Sequence, residues 1–163
     1  MKLDKELLML FARLTRESER SKVYAMRAKK DGQPQLSLLF RALSASQAMQ
    51  AQRFLVQIRG GVGTTPENEK TAFEEEIPAF IREYNAMLTE AEKDEAKALE
   101  TGFRHSTAVQ QRNLDLHSQL DKQSRDTEYY VCDFCGYVAT DEPPDNCPVC
   151  TAPKNRFKKI EAV

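Results

Sequence analysis

The sequence predicts a mainly α-helical protein, in which a four-helix bundle is followed by a small β-type module that binds a metal. Apolar residues recur at intervals of three and four along four long stretches, as they do on the buried face of amphipathic helices. After residue 128 the pattern changes to short β-type runs separated by turns. All four cysteines lie in this last part, as two C-x-x-C pairs separated by 11 residues. We therefore expect a helical domain at residues 1–126 and a metal-binding domain at 127–163.

The first two helices are predicted at residues 3–30 and 35–59, and both have clear stop signals. Gly32 suits the left-handed residue that follows many helices, and Pro34 cannot continue the first helix. The glycine-rich run 60–63 ends the second helix.

The third helix is predicted over Thr64–Glu92, with the threonine as its N-cap and a proline directly inside it. Pro78 either bends this helix or marks its true start. The fourth helix is predicted at residues 95–124, after a turn at 92–95 that the sequence marks only weakly; one long helix is the alternative. Four such helices imply a bundle whose core is built from facing apolar stripes.

The C-terminal module is predicted to contain two short strands, at residues 129–131 and 137–139. Turns are expected at the cysteines and at residues 142–145, and a polar linker is expected at Arg125–Glu128. A module this small has too little apolar core to fold alone, so a metal is expected to supply much of its folding free energy.

The two C-x-x-C pairs predict a metal site with four sulfur ligands. Each pair turns two sulfur atoms toward one centre, and two facing pairs form a tetrahedral cage that suits Zn(II) or a single iron ion. The predicted ligands are Cys132, Cys135, Cys147 and Cys150. Two disulfide bonds are the alternative, but they need an oxidising compartment.

Composition and charge favour a protein of the cytoplasm. The formal net charge is −1 and 30% of the residues are charged, so neither a nucleic-acid partner nor an acidic tail is indicated. The first apolar run is short and is broken by Arg13, which does not fit a signal peptide. No stretch is long enough to span a bilayer, so no membrane partner is expected. Thiols in the cytoplasm stay reduced and available to a metal.

The cysteine module resembles the rubredoxin-like iron knuckles found at the C-terminus of rubrerythrins. The resemblance rests on the sequence YVCDFCGY at residues 130–137, on CPVC at 147–150 and on Phe157. It implies one iron ion in the four-cysteine site, although zinc fits the same cage. In one departure, Thr151 follows the second pair, where glycine is usual. The sequence therefore predicts a less comfortable backbone at Thr151 or a looser second knuckle.

The helical part is similar to the rubrerythrin branch of the ferritin-like fold. The residues that carry this likeness are RES at 16–18, KKDG at 29–32 and GTTPEN at 63–68, together with Tyr24, Phe40 and Tyr84. The resemblance implies a homodimer in which the knuckle of one chain lies near the bundle of the other. The redox partner protein stays unknown.

The resemblance also implies a di-iron centre, but most of its ligands are missing here. In the family one carboxylate comes from the first helix, a Glu-x-x-Glu pair from the third, and Glu-x-x-His from the second and the fourth. Glu17 and Glu76 match two of these positions. The other matched positions are occupied by Gln47, Gln50, Ala79, Gln110 and Asn113. Neutral amides are weak ligands for hard cations and do not offset their charge, so no di-iron centre is expected.

Other roles are open for the polar residues near these positions. The amides could form a hydrogen-bonded polar core without metal. Glu17 and Glu76 could hold one weakly bound ion with His117, or His117 could be a surface or inter-subunit residue. If Glu17 is buried among amides, its pKa should rise. The hydroxyls of Tyr24 and Tyr84 are expected to be satisfied by Glu17, Gln47 or Gln110.

Three functions follow from these observations. The first is a rubrerythrin-like electron-transfer protein that uses an iron ion bound by the four cysteines and has largely lost the di-iron site. The second is a peroxide-reducing oxidoreductase of the rubrerythrin type with a remodelled metal site. The third is a non-catalytic structural or interaction protein whose knuckle holds zinc. Whether the protein is an enzyme stays open at this stage.

Overall fold

A computed structural model describes residues 2–122 and 126–161. The described chain is mostly helical and ends in a small three-stranded sheet that carries the four cysteines, which confirms the predicted fold class. The chain divides into two compact units, Met1–Asn68 and Glu69–Val163, and each is described here by itself. The predicted domain boundary at 126/127 stays a prediction, and its linker begins at Arg125, which lies outside the described residues. None of the described helices combines the length and apolar character that crossing a membrane requires.

The first unit contains a helical hairpin formed by α1 (Lys2–Lys30) and α2 (Pro34–Leu55). Gly32 adopts a φ of +72°, and the N–H of Gln33 donates to the carbonyl of Ala28 at 2.8 Å, so the turn ends α1 where the sequence predicted. Pro34 is the first residue of α2, where its missing N–H costs nothing.

Helix α2 ends four residues earlier than predicted. The N–H groups of Gln57 and Ile58 donate to the carbonyls of Phe54 and Leu55, three residues back, at 3.0 and 3.1 Å. Bonds of this spacing tighten the last turn and satisfy carbonyl groups that an α-helix leaves free at its end. Residues 56–63 therefore form a series of turns, in which Gly60 has a φ of +71°.

Small residues line the contact between α1 and α2. Its buried residues are Ser18, Ser21, Ala25 and Ala28 on α1 and Ser37, Ser44 and Ala51 on α2. The hydroxyl of Ser18 donates to the carbonyl of Ser44 at 2.9 Å, and that of Ser37 donates to the carbonyl of Ala25 at 2.8 Å. Large residues of the predicted apolar stripes, such as Met26 and Leu39, are exposed in this unit. The expected core of facing apolar stripes therefore does not join α1 and α2, because small residues form this contact.

The third predicted helix is a helical run made of three pieces. These are α3 (Thr65–Lys70), a π-helical stretch (Thr71–Glu76) and α4 (Ile77–Lys93). Pro78 is the second residue of α4, where a missing N–H is tolerated, so the irregular backbone precedes the proline. The N-cap prediction at Thr64 agrees with its carbonyl, which accepts the first helical hydrogen bond from Asn68 at 2.9 Å.

Helix α5 (Lys97–Ser118) follows α4 after a turn, as predicted. Glu95 in this turn has a φ of +54°, and the N–H of Ala96 donates to the carbonyl of Ala91 at 2.9 Å. Helix α5 ends at Ser118 and is followed by a short 3₁₀ turn at Leu120–Lys122. The prediction of helix up to residue 122 was therefore too long, and residues 123 and 124 lie outside the described residues.

The C-terminal module is an antiparallel sheet with the strand order β2-β1-β3. The strands are β1 (Tyr129–Cys132), β2 (Val138–Thr140) and β3 (Phe157–Lys159). The first two match the predicted strands within one residue. The third was not predicted, because a single apolar residue followed by two lysines gives no strand pattern. The core of the module consists of Cys132, Ala139, Cys147 and Phe157.

Replacement of Ser18 by leucine is expected to lower the free energy of unfolding by about 2 to 4 kcal/mol. Overpacking costs about 1–3 kcal/mol, and the lost hydrogen bond to Ser44 costs about 1 kcal/mol. Ser18→Ala should cost only about 1 kcal/mol, because it removes the hydrogen bond alone. Urea unfolding followed by far-UV circular dichroism measures both. The exposed Ser46→Ala is the control, and equal midpoints for all three variants would contradict the close helix contact.

Candidate metal centre

The structure brings the sulfur atoms of the four predicted ligands together. These four sulfurs lie within 4.8 Å of one another. The Sγ atoms of Cys132 and Cys150 are 3.7 Å apart, and those of Cys135 and Cys147 are 3.5 Å apart. A metal–sulfur bond of about 2.3 Å in a tetrahedral site places neighbouring sulfurs about 3.8 Å apart. All four cysteines are free, so the alternative of two disulfides does not hold in this structure.

The two C-x-x-C turns are built by the same backbone hydrogen bonds. In the first turn the N–H of Gly136 donates to the carbonyl of Cys132 at 2.9 Å. In the second the N–H of Thr151 donates to the carbonyl of Cys147, also at 2.9 Å. The N–H groups of Cys132 and Cys147 donate in turn to residues beyond the knuckles, at 2.9 and 2.8 Å. Two backbone hydrogen bonds therefore stabilise each C-x-x-C turn, and the two turns have the same local structure.

The residue after each pair has a left-handed backbone. Gly136 has a φ of +86° and Thr151 a φ of +61°. A β-branched residue with positive φ is a conformational outlier, and the left-handed region costs L-residues about 1–2 kcal/mol. The prediction of a less comfortable backbone at Thr151 is confirmed, and the second knuckle carries strain that the first does not.

Burial and backbone N–H groups act in opposite directions on the cysteine thiols. Burial raises the pKa of Cys135 well above its usual value, despite an N–H bond from Tyr137, and it also raises that of Cys150. Burial opposes ionisation of Cys132 too, but N–H groups of Cys135 and Phe134 and the neighbouring thiols lower its pKa. Thiols with raised pKa values must lose protons when a metal binds, so metal affinity increases with pH.

The carboxylate closest in sequence to the sulfurs is neutralised by basic side chains. Asp133, which follows the first ligand directly, forms an ion pair with Arg156, and Lys158 lies 3.9 Å away from it. The N–H of Asp133 also donates to the carbonyl of Arg156 at 2.8 Å. A free carboxylate would repel the thiolates, so this pair removes an unfavourable charge and ties the first knuckle to β3.

Helix α5 contacts the first knuckle within the second unit. The Nε of Arg112 donates to the carbonyl of Val138 at 3.0 Å, and its guanidinium carbon lies 5.7 Å from the ring centroid of Tyr137. A Cβ added at Gly136 would lie 3.8 Å from the Cγ1 of Val109, which is buried. Sequence reasoning missed this contact, because one arginine on a charged helix carries no distinguishing pattern.

In the first unit, polar side chains occupy the positions that correspond to di-iron ligands in rubrerythrins. These side chains form ion pairs or hydrogen bonds with other protein groups. Glu17 is 31% exposed and forms ion pairs with Arg16 at 3.0 Å and Arg20 at 3.6 Å. Gln47 accepts a hydrogen bond of 3.3 Å from Ser21. Within this unit Glu17 is therefore not buried among amides, since the groups with which it pairs are arginines.

Tyr24 and Gln50 also form hydrogen bonds with residues of their own helices. The hydroxyl of Tyr24 accepts hydrogen bonds from Arg20, at 2.6 Å and 3.0 Å, and not from the residues expected. The amide of Gln50 donates to Ser46 at 3.3 Å.

In the second unit, Asn113 donates to the amide oxygen of Gln110 at 3.3 Å. Glu76 is exposed at the end of the π-helical stretch. The Nε2 of His117 lies 2.7 Å from the carboxylate of Glu69, and its ring stacks on Phe73 with centroids 4.0 Å apart.

Within residues 2–122 and 126–161, the four cysteines form the one cluster of metal-ligand type. The suggested ion held by Glu17, Glu76 and His117 therefore gains no support.

A cage of four cysteines on two matched knuckles, joined to long amphipathic helices, defines a metalloprotein with a rubredoxin-type module. Residues 130–158 match the family model described as the rubredoxin-like domain of rubrerythrin. The chain is 29% identical to a rubrerythrin from Porphyromonas gingivalis, over 98% of this chain and 90% of that protein. It is 25% identical to rubrerythrin-1 from Clostridium acetobutylicum, over 93% and 91% of the two chains.

A solved structure of nigerythrin in a partially reduced state has a similar fold. Its TM-score is 0.50 at 18% identity, with 96% of this chain and 86% of that chain covered. The rubredoxin-like match, the rubrerythrin relatives and the nigerythrin fold together support the rubrerythrin family for this chain.

Replacing Thr151 by glycine is expected to stabilise the metal-loaded module by about 0.5–1 kcal/mol. The relief of about 1–2 kcal/mol of left-handed strain exceeds the entropy that glycine loses on folding, about 0.5–1 kcal/mol. The rate at which a chelator removes the metal should fall. Gly136→Ala is the matched opposite change, because the space at that position accepts a Cβ and only the backbone opposes it. If Thr151→Gly releases metal faster than the wild type, the strain argument is wrong.

Proposed function

We propose that the protein is an electron-transfer protein that uses one iron ion bound by Cys132, Cys135, Cys147 and Cys150. The observation that carries the proposal is the cage of four sulfurs with spacings of 3.5 and 3.7 Å. An iron ion in such a cage supplies one-electron redox chemistry without a substrate site. The protein groups hold the sulfurs, donate N–H bonds to them and exclude water from Cys132 and Cys147, which are 1% and 2% exposed.

The match to a rubredoxin-like domain favours iron over zinc in this cage. Thiolate sulfur alone does not separate the two metals, because both accept four sulfurs in tetrahedral geometry. A reducing compartment such as the cytoplasm would keep the four thiols available, and we include this location in the proposal.

We further propose that the helical part has lost the di-iron centre of its family. Two iron ions need several carboxylates in a site of low dielectric constant. Here Glu17 is paired with two arginines, whose positive charge opposes the binding of a cation beside it. The amides of Gln110 and Asn113 bond to each other, which satisfies polar groups without metal. These contacts support a role in which electrons are carried and no peroxide is reduced.

The partner that we propose is a second copy of this chain. Residues 1–68 contain 12 basic and 6 acidic residues, whereas residues 69–163 contain 12 basic and 19 acidic ones. The first unit also exposes large apolar side chains, among them Val23, Leu39 and Met49. Units of opposite charge attract, so the first unit of one chain suits the second unit of another.

Protein purified without added metal is expected to contain about one iron per chain and to absorb strongly in the visible range when oxidised. Replacement of Cys147 by serine should abolish this absorption, because one of the four thiolates is lost. Elemental analysis and the visible spectrum measure both. A colourless zinc protein would contradict the iron assignment. A content of about three irons, with oxidation by peroxide that depends on Glu17, would instead establish an active di-iron centre.

Sedimentation equilibrium is expected to give twice the chain mass of 18.6 kDa. The dimer should weaken as salt rises, because salt screens the attraction between units of opposite charge. A single species of the monomer mass at all concentrations would rule out the homodimer.

A further inference from the structure

The first knuckle faces α5 at the two residues that follow the ligand Cys135. A Cβ added at Gly136 would lie 3.8 Å from the Cγ1 of Val109, and the guanidinium carbon of Arg112 lies 5.7 Å from the ring centroid of Tyr137. The backbone N–H of Tyr137 donates to the sulfur of Cys135. A side chain of α5 therefore contacts the same short segment that supplies a hydrogen bond to the metal cage.

Arg112 contributes a charge that no nearby carboxylate neutralises. Across the part of the chain that the structure describes, its polar bond is to the carbonyl of Val138, and no carboxylate lies within ion-pair distance. By contrast, Asp133, the charged side chain of the first knuckle, is paired with Arg156. Arg112 is also half-buried, so its charge is screened less than that of an exposed side chain.

We propose that Arg112 is a positioning residue for the four-cysteine centre, which it docks on α5 and biases toward the reduced state. The proposal rests on the function proposed above. Four thiolates around a ferric ion carry a net charge of −1, and one electron from a redox donor, with no proton, changes this to −2. A fixed positive charge beside Tyr137 stabilises the more negative state, so it raises the reduction potential. The hydrogen bond to Val138 holds the first knuckle in place against the helix.

Three variants of the full-length protein separate the charge from the contact. Arg112→Gln removes both the charge and the planar donor, whereas Arg112→Lys keeps the charge but loses the fork geometry of the guanidinium. Arg104→Gln is the matched control, because Arg104 lies on the same helix, is exposed and is paired with Glu92. Far-UV circular dichroism establishes that each variant folds.

The measurements are the midpoint of a mediated redox titration and the rate at which a chelator removes the metal. Arg112→Gln should have a more negative midpoint and release metal several-fold faster than the wild type. Arg112→Lys should have a midpoint potential close to that of the wild type but should release metal faster. This variant keeps the test informative if the glutamine variant does not fold. The control should change neither quantity.

An unchanged midpoint in Arg112→Gln would overturn the electrostatic role, and an unchanged release rate would overturn the docking role. A wild-type protein that holds zinc would instead contradict the proposed function. The release rate of zinc from the same variants then tests the docking role by itself, so the two failures are distinguishable.

Discussion

The close approach of four cysteine sulfurs is the arrangement on which the C-terminal module depends. Sulfurs 3.5 to 3.7 Å apart are held neither by covalent bonds nor by a large core, since among the described residues of the module four are buried: Cys132, Ala139, Cys147 and Phe157. Ionised thiolates at this distance repel one another, and a central cation converts that repulsion into attraction. The three short strands and the two turns bring the sulfurs together, and a bound metal would supply the stabilisation that so small a core lacks.

The helical part differs from the C-terminal module, because its polar groups form hydrogen bonds with other protein groups. Serine hydroxyls bond to backbone carbonyls across the contact between α1 and α2, and Gln110 and Asn113 bond to each other along α5. Glutamine and glutamate have nearly the same shape, so amides can replace carboxylates with little change in packing. A fold of this kind can therefore hold different polar side chains at the same positions, which is why similarity of fold does not decide the chemistry.

The sequence was informative where a feature depends on local chemistry. The cysteine spacing, Gly32 and Thr151 each specify a backbone geometry within a few residues, and the structure contains all three. It was less informative where the outcome depends on distant neighbours. Periodicity did not show that Ser18 would bond to Ser44 across the contact of α1 with α2, and no motif marked Arg112 as a contact of the knuckle.

The strand β3 and the end of α2 show the same limit at a smaller scale. Phe157–Lys159 forms a strand because β1 offers its free edge, and this cannot be inferred from three residues alone. Helix α2 stops at Leu55 because its last carbonyls find partners three residues along the chain, although the sequence continues with helix formers.

The unequal support of the two knuckles gives the metal cage a preferred direction of disassembly. The first knuckle continues from β1, is followed by β2, and is next to Tyr137, which lies beside Arg112 of α5. The second is formed by a loop and includes the strained backbone of Thr151. We therefore expect a bound metal to lose Cys147 and Cys150 first, which would leave a half-open site on Cys132 and Cys135, the pair that precedes the segment in contact with α5.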